Sequence, residues 1–335
     1  MISLRAPDFW WQRAGIAAAL LYPAGAICGA IAVQRLNRTG YRAKIPVICI
    51  GNPTMGGAGK TPTAIAVGNW LKREEKKVFF LTRGYGGSEE GPLLADIEKH
   101  SAHEIGDEAP LLAAIAPTVI ARDRAAGAKF AEENGADVIV MDDGFQNSSL
   151  TKDFSVLVVD GMKGLGNGLP FPAGPLRAPI SPQLRRAQAM IVVGDGEAGD
   201  KAARLAKEHA LQVFRGSLAS DTASAADVKN KSVLAFAGIG TPEKFFHSLE
   251  AAGAIVSAWK SFGDHHRYTA ADAADLLAKA EHGGLELITT EKDLARMRGN
   301  DSLAKLRERS KALRVRLSLD DENGAFATIK NSLKF

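Results

Sequence analysis

The chain has 335 residues, of which 46% are hydrophobic and 24% are charged, and its formal net charge is +4 at pH 7 with neutral histidines. These values exclude a largely disordered chain and allow two domains or one large α/β domain. The small, scattered positive excess indicates no nucleic-acid partner, but it suits a substrate that carries phosphate. Neither Cys28 nor Cys49 has metal-ligand spacing, so we expect two buried free thiols.

The first predicted element is an apolar helix near the N-terminus. No charged residue occurs from Ala14 to Val33, and basic residues flank this run on both sides. The run just reaches the roughly 20 apolar residues that span a bilayer, but Pro23 interrupts it. It can be a cleaved signal peptide, a soluble core helix, or an interfacial or shallowly inserted anchor. We favour the anchor, because Trp10, Trp11 and Tyr22 are typical of membrane interfaces and the basic flanks suit anionic lipid.

Beyond this helix, short continuous apolar runs alternate with Ala-rich helical stretches. Such runs predict strands buried on both faces, and the alternation predicts a doubly wound, mainly parallel α/β fold. The predicted strands are Ile45–Ile50, Val78–Leu81, Thr118–Ala121, Asp137–Met141, Ser155–Val159, Met190–Val193, Val233–Ala237 and Leu285–Thr289. The predicted helices are Thr61–Arg73, Arg122–Asn134, Asp200–His209 and Pro242–Ala252.

The pattern also predicts where the chain divides. We expect a membrane-associated helix with a basic exit at 1–44, an α/β core at 45–216, a linker at 217–232 and a second, smaller α/β lobe at 233–335. Within the core, the stretch 161–186 is rich in Pro and Gly. Long ordered loops in compact proteins are usually functional, and a disordered linker is the alternative.

A glycine-rich turn joins the first predicted strand to the first predicted helix. Its residues are Thr54, Met55, Gly56, Gly57, Ala58, Gly59, Lys60 and Thr61. In a P-loop, such glycines let backbone N–H groups converge on phosphate oxygens at a helix N-terminus. We expect Lys60 to reach the β- and γ-phosphates and the Thr61 hydroxyl to ligate Mg²⁺, although Thr54 stands where the P-loop pattern has its first glycine. The sequence therefore predicts a nucleoside-triphosphate site.

An acidic residue at the end of a neighbouring strand should hold the metal of such a site. Asp142 and Asp143 directly follow one predicted strand, and Asp160 ends the next one and is the rival. A cap for the following turn is the alternative role of these carboxylates.

A kinase also needs a group that takes the proton of the acceptor hydroxyl. Asp107 and Glu108 form a compact acidic turn, and Asp264, His265 and His266 form a second polar cluster. A solvent-exposed turn is the alternative for each, and the histidines can also be metal ligands.

Two arginines are candidates for binding an anion. Arg83 follows a predicted strand within Arg83-Gly84-Tyr85-Gly86, and Arg177 lies in the Pro/Gly-rich stretch. Thr290-Glu291-Lys292-Asp293 lacks the spacing of the guanine-reading N-K-x-D motif, so ATP is favoured over GTP.

Taken in order, these motifs resemble the tetraacyldisaccharide 4′-kinase family, the lipid A 4′-kinases of Gram-negative bacteria. The resemblance covers most of the chain, and three of its motifs, DDGFQ, PAGPLR and DHH, are specific. The motifs are Gly51-Asn52-Pro53, Gly56-Gly57-Ala58-Gly59-Lys60-Thr61-Pro62, Arg83-Gly84-Tyr85-Gly86, Gly106-Asp107-Glu108, Asp142-Asp143-Gly144-Phe145-Gln146, Pro172-Ala173-Gly174-Pro175-Leu176-Arg177, Phe262-Gly263-Asp264-His265-His266 and Thr290-Glu291-Lys292-Asp293.

The resemblance implies a P-loop kinase that transfers the γ-phosphoryl group of ATP to the 4′-hydroxyl of an acylated glucosamine disaccharide 1-phosphate. It implies catalytic roles for Lys60, for Asp107 as the base, and for the pair Asp264 and His265. It places ATP and Mg²⁺ at Lys60 and Thr61, with Asp142 and Asp143 in the metal-binding region. Which of Glu108, Asp142, Asp143 and Asp160 ligates the metal stays open.

The resemblance further implies that Arg83, Gln146 and Arg177 bind substrate. Two departures bear on these residues: Ala178 stands where the family often has Glu, and Leu294-Ala295-Arg296 stands where it commonly has a hydrophobic residue and Lys. An acylated substrate implies work at the cytoplasmic face of the inner membrane, with the N-terminal helix as a peripheral or shallow anchor.

We expect no nucleic-acid partner and no obligatory protein partner. A function of another class is the alternative: a regulatory or metal-delivery P-loop NTPase, in which the histidines and carboxylates are metal ligands.

Overall fold

Two sheets organise residues 6–333, one of nine strands and one of four. The computed structural model describes residues 6–333. The strands are β1 (Val47–Gly51), β2 (Val78–Thr82), β3 (Leu93–Leu94), β4 (Thr118–Ile120), β5 (Val138–Asp142), β6 (Phe154–Asp160), β7 (Ala189–Val193), β8 (Gln212–Ser220), β9 (Ser232–Ala237), β10 (Ile255–Ser261), β11 (Glu286–Thr290), β12 (Ser310–Leu313) and β13 (Val315–Leu319).

Helices connect most of these strands. They are α1 (Ile16–Leu36), α2 (Lys60–Arg73), α3 (Ala102–Ile105), α4 (Ala109–Ala113), α5 (Arg124–Glu133), α6 (Ile180–Leu184), α7 (Glu197–Glu208), α8 (Thr222–Val228), α9 (Pro242–Ala251), α10 (Ala270–Gly283), α11 (Glu291–Arg296), α12 (Ala304–Arg309) and α13 (Glu322–Leu333). Short 3₁₀ turns occur at Asp8–Trp11 and Asp301–Leu303.

The nine-stranded sheet has the order β13-β8-β7-β6-β1-β5-β2-β4-β3. Its strands pair in parallel except at the two edges, where β13 and β3 are antiparallel to their neighbours. Strands β1, β2, β5 and β7 are buried along their whole length, as continuous apolar runs require when helices cover both faces of a sheet. The predicted doubly wound, mainly parallel α/β fold is confirmed, as are its eight strands and four helices, to within a few residues at their ends.

The C-terminal residues return to the large sheet. After the smaller sheet, β13 pairs with β8, and the Phe326 ring of α13 stacks on Trp70 of α2 at a centroid distance of 4.8 Å. The predicted division into a linker at 217–232 and a lobe at 233–335 is therefore wrong in two places. The linker region contains the end of β8, at Ser220, and helix α8, and residues 315–333 pack on the core. Strand β8 is partly exposed along most of its length, so its sequence lacks the apolar run that marks an interior strand.

The second lobe is built on the four-stranded sheet, in the order β10-β9-β11-β12, with all strands parallel. Its core contains Phe236 of β9, Leu276 of α10 and Tyr268. Since parallel strands direct their carboxyl ends to one edge, Gly238, which follows β9, and Thr290, which ends the neighbouring β11, lie at the same edge.

Helix α1 packs on the Pro/Gly-rich loop through small residues. A Cβ atom added to Gly25 would lie 2.9 Å from the Pro170 carbonyl oxygen, and one added to Gly29 would lie 3.1 Å from Pro170 Cγ. The opposite face is solvent-exposed, with Ile16 at 82% and Leu20 at 77%. Among residues 6–333, α1 is the one helix long and apolar enough to cross a membrane.

The Pro/Gly-rich loop is ordered by hydrogen bonds. Asn167 Nδ2 donates to the Ala173 carbonyl at 2.9 Å, and the Trp10 indole donates to the Pro172 carbonyl at 3.0 Å. The N-terminal turn, α1 and the loop therefore form one packed unit. Cys49 is buried as expected, but the prediction for Cys28 is wrong, because Cys28 lies on the exposed part of α1.

Candidate active site

The phosphate loop links β1 to α2 at the carboxyl edge of the large sheet. Gly56 and Gly59 adopt φ angles of +102° and +91°, a region that L side chains rarely adopt. Asn52 fixes the loop from within, since its Nδ2 donates to the Gly56 carbonyl at 3.1 Å. Lys60 and Thr61 open α2 and are only 8% and 3% exposed. This strand–loop–helix order is the one that cradles phosphate at a helix N-terminus.

Asp142 ends β5, the neighbour of β1 in the sheet, and contacts the phosphate loop directly. Thr61 Oγ1 donates to Asp142 Oδ2 at 3.0 Å. Asp142 Oδ1 is buried and has no hydrogen-bond partner among the described residues. Burial, then the charges of Glu108 and Asp143, raise the pKa of Asp142. These raising effects exceed the lowering effect of the Lys60 charge, so a carboxylate that carries this cost is suited to a cation.

Asp143 lies among cations rather than against Thr61. Its Oδ2 is 3.7 Å from Lys60 Nζ and 3.2 Å from Arg177 Nη2. Its Oδ1 is buried and, within residues 6–333, also lacks a hydrogen-bond partner. The two aspartates therefore each present one oxygen with free acceptor capacity beside the phosphate loop.

Asp160, the rival to this pair, has other partners. Its Oδ1 accepts from the backbone N–H groups of Met162 and Lys163 at 2.9 and 3.1 Å. Its Oδ2 pairs with Lys244 of the second lobe at 2.7 Å. Asp160 thus caps the turn after β6, the alternative that sequence patterns left open.

Arg177 and Gln146 join the Pro/Gly-rich loop to the phosphate loop. Arg177 Nε donates to the Thr54 carbonyl at 3.1 Å, and Gln146 Nε2 donates to the Asn52 carbonyl at 3.1 Å. The Met55 N–H also donates to the Pro175 carbonyl at 2.8 Å. Arg177 and Gln146, both predicted to bind substrate, therefore support the phosphate loop.

Arg83 is solvent-exposed at the end of β2. The turn it begins packs against the acidic turn, since a Cβ atom on Gly84 would lie 2.9 Å from the Ile105 carbonyl oxygen. The Tyr85 ring lies 5.8 Å from the His265 ring, between centroids. The structure thus places the Arg83 turn next to Asp107.

Asp107 joins the two lobes. Its Oδ2 lies 2.6 Å from His265 Nδ1 and accepts from Arg296 Nε at 2.8 Å. Its Oδ1 has no hydrogen-bond partner among the described residues. Burial alone would raise the pKa of Asp107, but the hydrogen bonds from His265 and Arg296 outweigh it and lower the pKa to about 2. The same bond to Asp107, opposed by burial, raises the pKa of His265.

Asp264 and His266 lie beside this contact without being part of it. Asp264 Oδ1 accepts from the His265 backbone N–H at 3.1 Å and lies 3.9 Å from His265 Nε2. His266 pairs with Asp272 at 3.0 Å and stacks on Phe262. Across residues 6–333 there is no group of three His, Cys, Asp or Glu side chains that could hold a metal ion. His265 and His266 instead contact Asp107 and Asp272.

Glu108 connects the acidic turn to the phosphate loop. Its Oε1 pairs with Lys292 at 2.7 Å. Burial raises the pKa of Glu108, but the charge and hydrogen bond of Lys292 and the charge of Lys60 lower it below its ordinary value. Glu108, Thr61 and Asp142 are therefore neighbours in the site.

Sequence patterns gave no site role to Lys292, Asp293 or Arg296. Asp293 is fully buried and accepts from the Gly238 N–H at 3.1 Å and from Arg296 Nη1 at 2.8 Å. The sequence does carry a signal for these residues, a polar run directly after a buried strand. Their partners lie far away in the chain, however, since Lys292 and Glu108 are 184 positions apart.

Comparison with known proteins agrees with this geometry. The family model of tetraacyldisaccharide-1-P 4′-kinases matches residues 17–334. The tetraacyldisaccharide 4′-kinase of Xanthobacter autotrophicus is 54% identical over 297 residues, which cover 88% of this chain and 87% of the relative. That of Methylobacterium sp. strain 4-46 is 49% identical over 323 residues, covering 96% and 95% of the two chains.

A solved structure shares the whole architecture. LpxK from Aquifex aeolicus, crystallised in complex with ATP, superposes with a TM-score of 0.74 at 25% identity, covering 95% of this chain and 100% of that one. These relatives are kinases, so the alternative of a regulatory or metal-delivery NTPase receives no support. The chain belongs to the tetraacyldisaccharide-1-phosphate 4′-kinase family.

Proposed function

We propose that the chain transfers the γ-phosphoryl group of ATP to the 4′-hydroxyl of a tetraacyl glucosamine disaccharide 1-phosphate, a step of lipid A biosynthesis. The observation that carries the proposal is the acidic turn. Asp107 and Glu108 are adjacent, and the positive charge of Lys60 in the phosphate loop helps to lower the pKa of Glu108. An acceptor hydroxyl at Asp107 is thereby brought near the position of a terminal phosphate.

The chain's own atoms fit a Mg²⁺–nucleotide. The free oxygens of Asp142 and Asp143 and the Thr61 hydroxyl are the hard oxygen ligands that Mg²⁺ takes beside phosphates and water. When bound, the ion would neutralise charge on the transferred group. Lys60 and the backbone N–H groups of the loop hold the phosphates, and Asn52 and Arg177 keep the loop in shape.

Asp107 is the proposed base. Its Oδ2 is occupied by His265 and Arg296, so Oδ1 is the oxygen that accepts the proton of the 4′-hydroxyl. His265, whose pKa is raised, stays protonated to higher pH and keeps Asp107 ionised. Asp264 supports His265 because its Oδ1 accepts a hydrogen bond from the His265 backbone N–H. Because phosphoryl transfer passes through a loose transition state, positioning contributes more than proton affinity.

The substrate and membrane assignments rest on the same geometry. Arg83 lies beside the acidic turn with an exposed side chain, which suits a contact with the sugar phosphate. Gln146 and Arg177 lie at the edge of the phosphate loop. The exposed apolar face of α1 suits a peripheral or shallow anchor at the cytoplasmic face of the inner membrane, where the acyl chains of the substrate remain in the bilayer.

The test is mass spectrometry of the lipid after incubation of purified protein with ATP, Mg²⁺ and the disaccharide 1-phosphate. The wild type is expected to add one phosphate to the lipid. Asp107→Asn is expected to lose about 10²–10⁴-fold in rate, the usual contribution of a general base, while its ATP affinity is retained. Absence of the phosphorylated lipid with a folded, ATP-binding wild type would reject the function, and near-normal turnover of Asp107→Asn would reject only the base.

A further inference from the structure

A cavity of about 290 Å³ lies at the C-terminal end of α1, away from the phosphate loop. Its walls are the end of α1, the segment 145–155 and Arg186. This volume is near the lower limit of small-molecule sites, roughly 300–1,000 Å³. The residues that line it include none of the phosphate loop, so it is separate from the nucleotide site.

Three cations line this cavity, namely Arg38, Lys152 and Arg186, and no Asp or Glu is among its lining residues. Lys152 Nζ donates only to backbone carbonyls, those of Asn147 and, at 3.3 Å, Phe145. The Arg38 side chain has no ion pair or hydrogen bond among the described residues. None of the three positive charges is therefore neutralised by the part of the chain that the structure describes.

Arg186 shows the same pattern. Its guanidinium donates to the Leu36 and Pro182 carbonyls at 3.1 Å each, and to the Asn37 side chain. These bonds satisfy N–H groups but leave the net charge uncompensated. Burial, together with repulsion from Arg124 and Arg186, lowers the pKa of Lys152.

Lys152 and Arg186 are half-buried and Arg38 is exposed, and grouping unpaired cations in this way is unfavourable unless an anion joins them. Arginine matches phosphate geometry with two parallel hydrogen bonds, and lysine adds a point charge. Ser155 also lines the cavity and supplies a hydroxyl of the kind that binds phosphate oxygens. The set is therefore complementary to a phosphate group and not to a neutral or cationic ligand.

We propose that this cavity is an anion site that binds the phosphate of a lipid at the membrane surface. It lies at the end of α1 that carries Arg35 and Arg38, beyond the exposed apolar residues Ile16 and Leu20. With the apolar face in the bilayer, this basic end lies at the depth of lipid phosphates. The phosphate can belong to an anionic phospholipid or, on the proposed function, to the 1-phosphate of the substrate.

The first experiment is thermal unfolding of the full chain in detergent, titrated with inorganic phosphate. A saturating non-hydrolysable ATP analogue with Mg²⁺ fills the nucleotide site throughout. Wild type and the control Arg35→Gln, an equal charge change beside the cavity, are expected to gain about 2 °C at tenfold excess over Kd. Arg38→Gln and Lys152→Gln are expected to show no gain. No gain in wild type, or an equal loss in Arg35→Gln, would overturn the proposal.

Two further measurements on Arg38→Gln identify the source of the phosphate. A preference for phosphatidylglycerol over phosphatidylcholine vesicles that falls more in Arg38→Gln than in Arg35→Gln indicates a phospholipid headgroup. An unchanged vesicle preference with a raised KM for the lipid acceptor and an unchanged KM for ATP indicates the substrate's own phosphate. If neither changes in Arg38→Gln, the site takes free phosphate only, and the lipid part of the proposal is wrong. The thermal measurement needs no kinase activity, so it stays informative if the proposed reaction fails.

Discussion

Arg296 and Asp107 are 189 positions apart in the chain, and Arg296 Nε donates a hydrogen bond of 2.8 Å to Asp107 Oδ2. Arg296 Nη2 forms an ion pair with the same oxygen at 2.7 Å. The guanidinium is almost completely buried, and Asp293 fixes it from the other side at 2.8 Å. The second lobe therefore holds the proposed base through a residue that itself has little freedom to move.

Replacing Arg296 tests whether this contact keeps Asp107 ionised. Without it, burial would raise the pKa of Asp107, so the acid limb of the kcat/KM–pH profile is expected to move to higher pH in Arg296→Met. The rate should fall about 10-fold or more, because hydrogen bonds to charged groups contribute roughly 1.5–3 kcal/mol. Arg296→Lys should recover part of the rate and of the shift. An acid limb that stays in place in Arg296→Met would show that the arginine has only a structural role.

The His265–Asp107 contact predicts a pH-dependent stability. The contact raises the pKa of His265 above its ordinary value near 6.5, so its stabilisation is complete below that value and is lost as pH rises through the folded-state pKa. Asp107, with a pKa of about 2, stays ionised throughout. Denaturant unfolding of wild type and His265→Gln should therefore show a larger difference at pH 5.5 than at pH 9. A difference that is constant, or larger at pH 9, contradicts the pairing.

Asp142 should stabilise the protein only when a cation is bound. Its pKa is raised, so without Mg²⁺ the stability of the wild type falls as pH rises from about 4 through that raised pKa. Asp142→Asn keeps an oxygen for the Thr61 hydroxyl but has no charge to bury. It should be more stable than the wild type at pH 8 without Mg²⁺, and it should gain little from Mg²⁺ with an ATP analogue. Equal Mg²⁺-dependent gains in melting temperature would rule out Asp142 as the ligand.

Gly25 tests whether α1 acts through the Pro/Gly-rich loop. Gly25→Leu places a side chain where Pro170 already lies, and such overpacking costs about 1–3 kcal/mol. The KM for the lipid acceptor is expected to rise several-fold while that for ATP is unchanged. The matched control is Ala26→Leu, at the next, exposed position of the helix. Similar kinetics in both variants would show that the packing of α1 on the loop has no role in substrate binding.

The interior of the fold could be predicted from the sequence because each interior strand carries its own signal. Val78–Thr82 and Val138–Asp142 are buried along both faces and read as unbroken apolar runs. Strand Gln212–Ser220, the second strand of the large sheet, is partly exposed, and its sequence, with Arg215 and Gly216 inside, resembles a connection. Its partner Val315–Leu319 lies a hundred residues further on, so their pairing depends on tertiary structure.

The site divides in the same way. Lys60, Thr61 and Asp142 follow strands or begin a helix, so local order places them together. Arg296 and Lys292 reach the acidic turn only when the second lobe docks on the core, and no local pattern reports that docking. Asp160 and Asp142 end neighbouring runs with similar sequences, and only the structure shows that one caps a turn.

The return of the C-terminal residues to the large sheet makes the second lobe an insertion with two connections to the core. These connections are side by side, because the Asp221 N–H donates to the Arg314 carbonyl at 3.0 Å and the Arg314 N–H donates to Ser224 Oγ at 3.1 Å. Two adjacent attachment points permit rotation about a single axis and oppose twisting or separation. His265 and Arg296 lie on the lobe that would rotate, so opening it would carry both away from Asp107. The hydrogen bonds that keep the base ionised would then depend on the hinge angle.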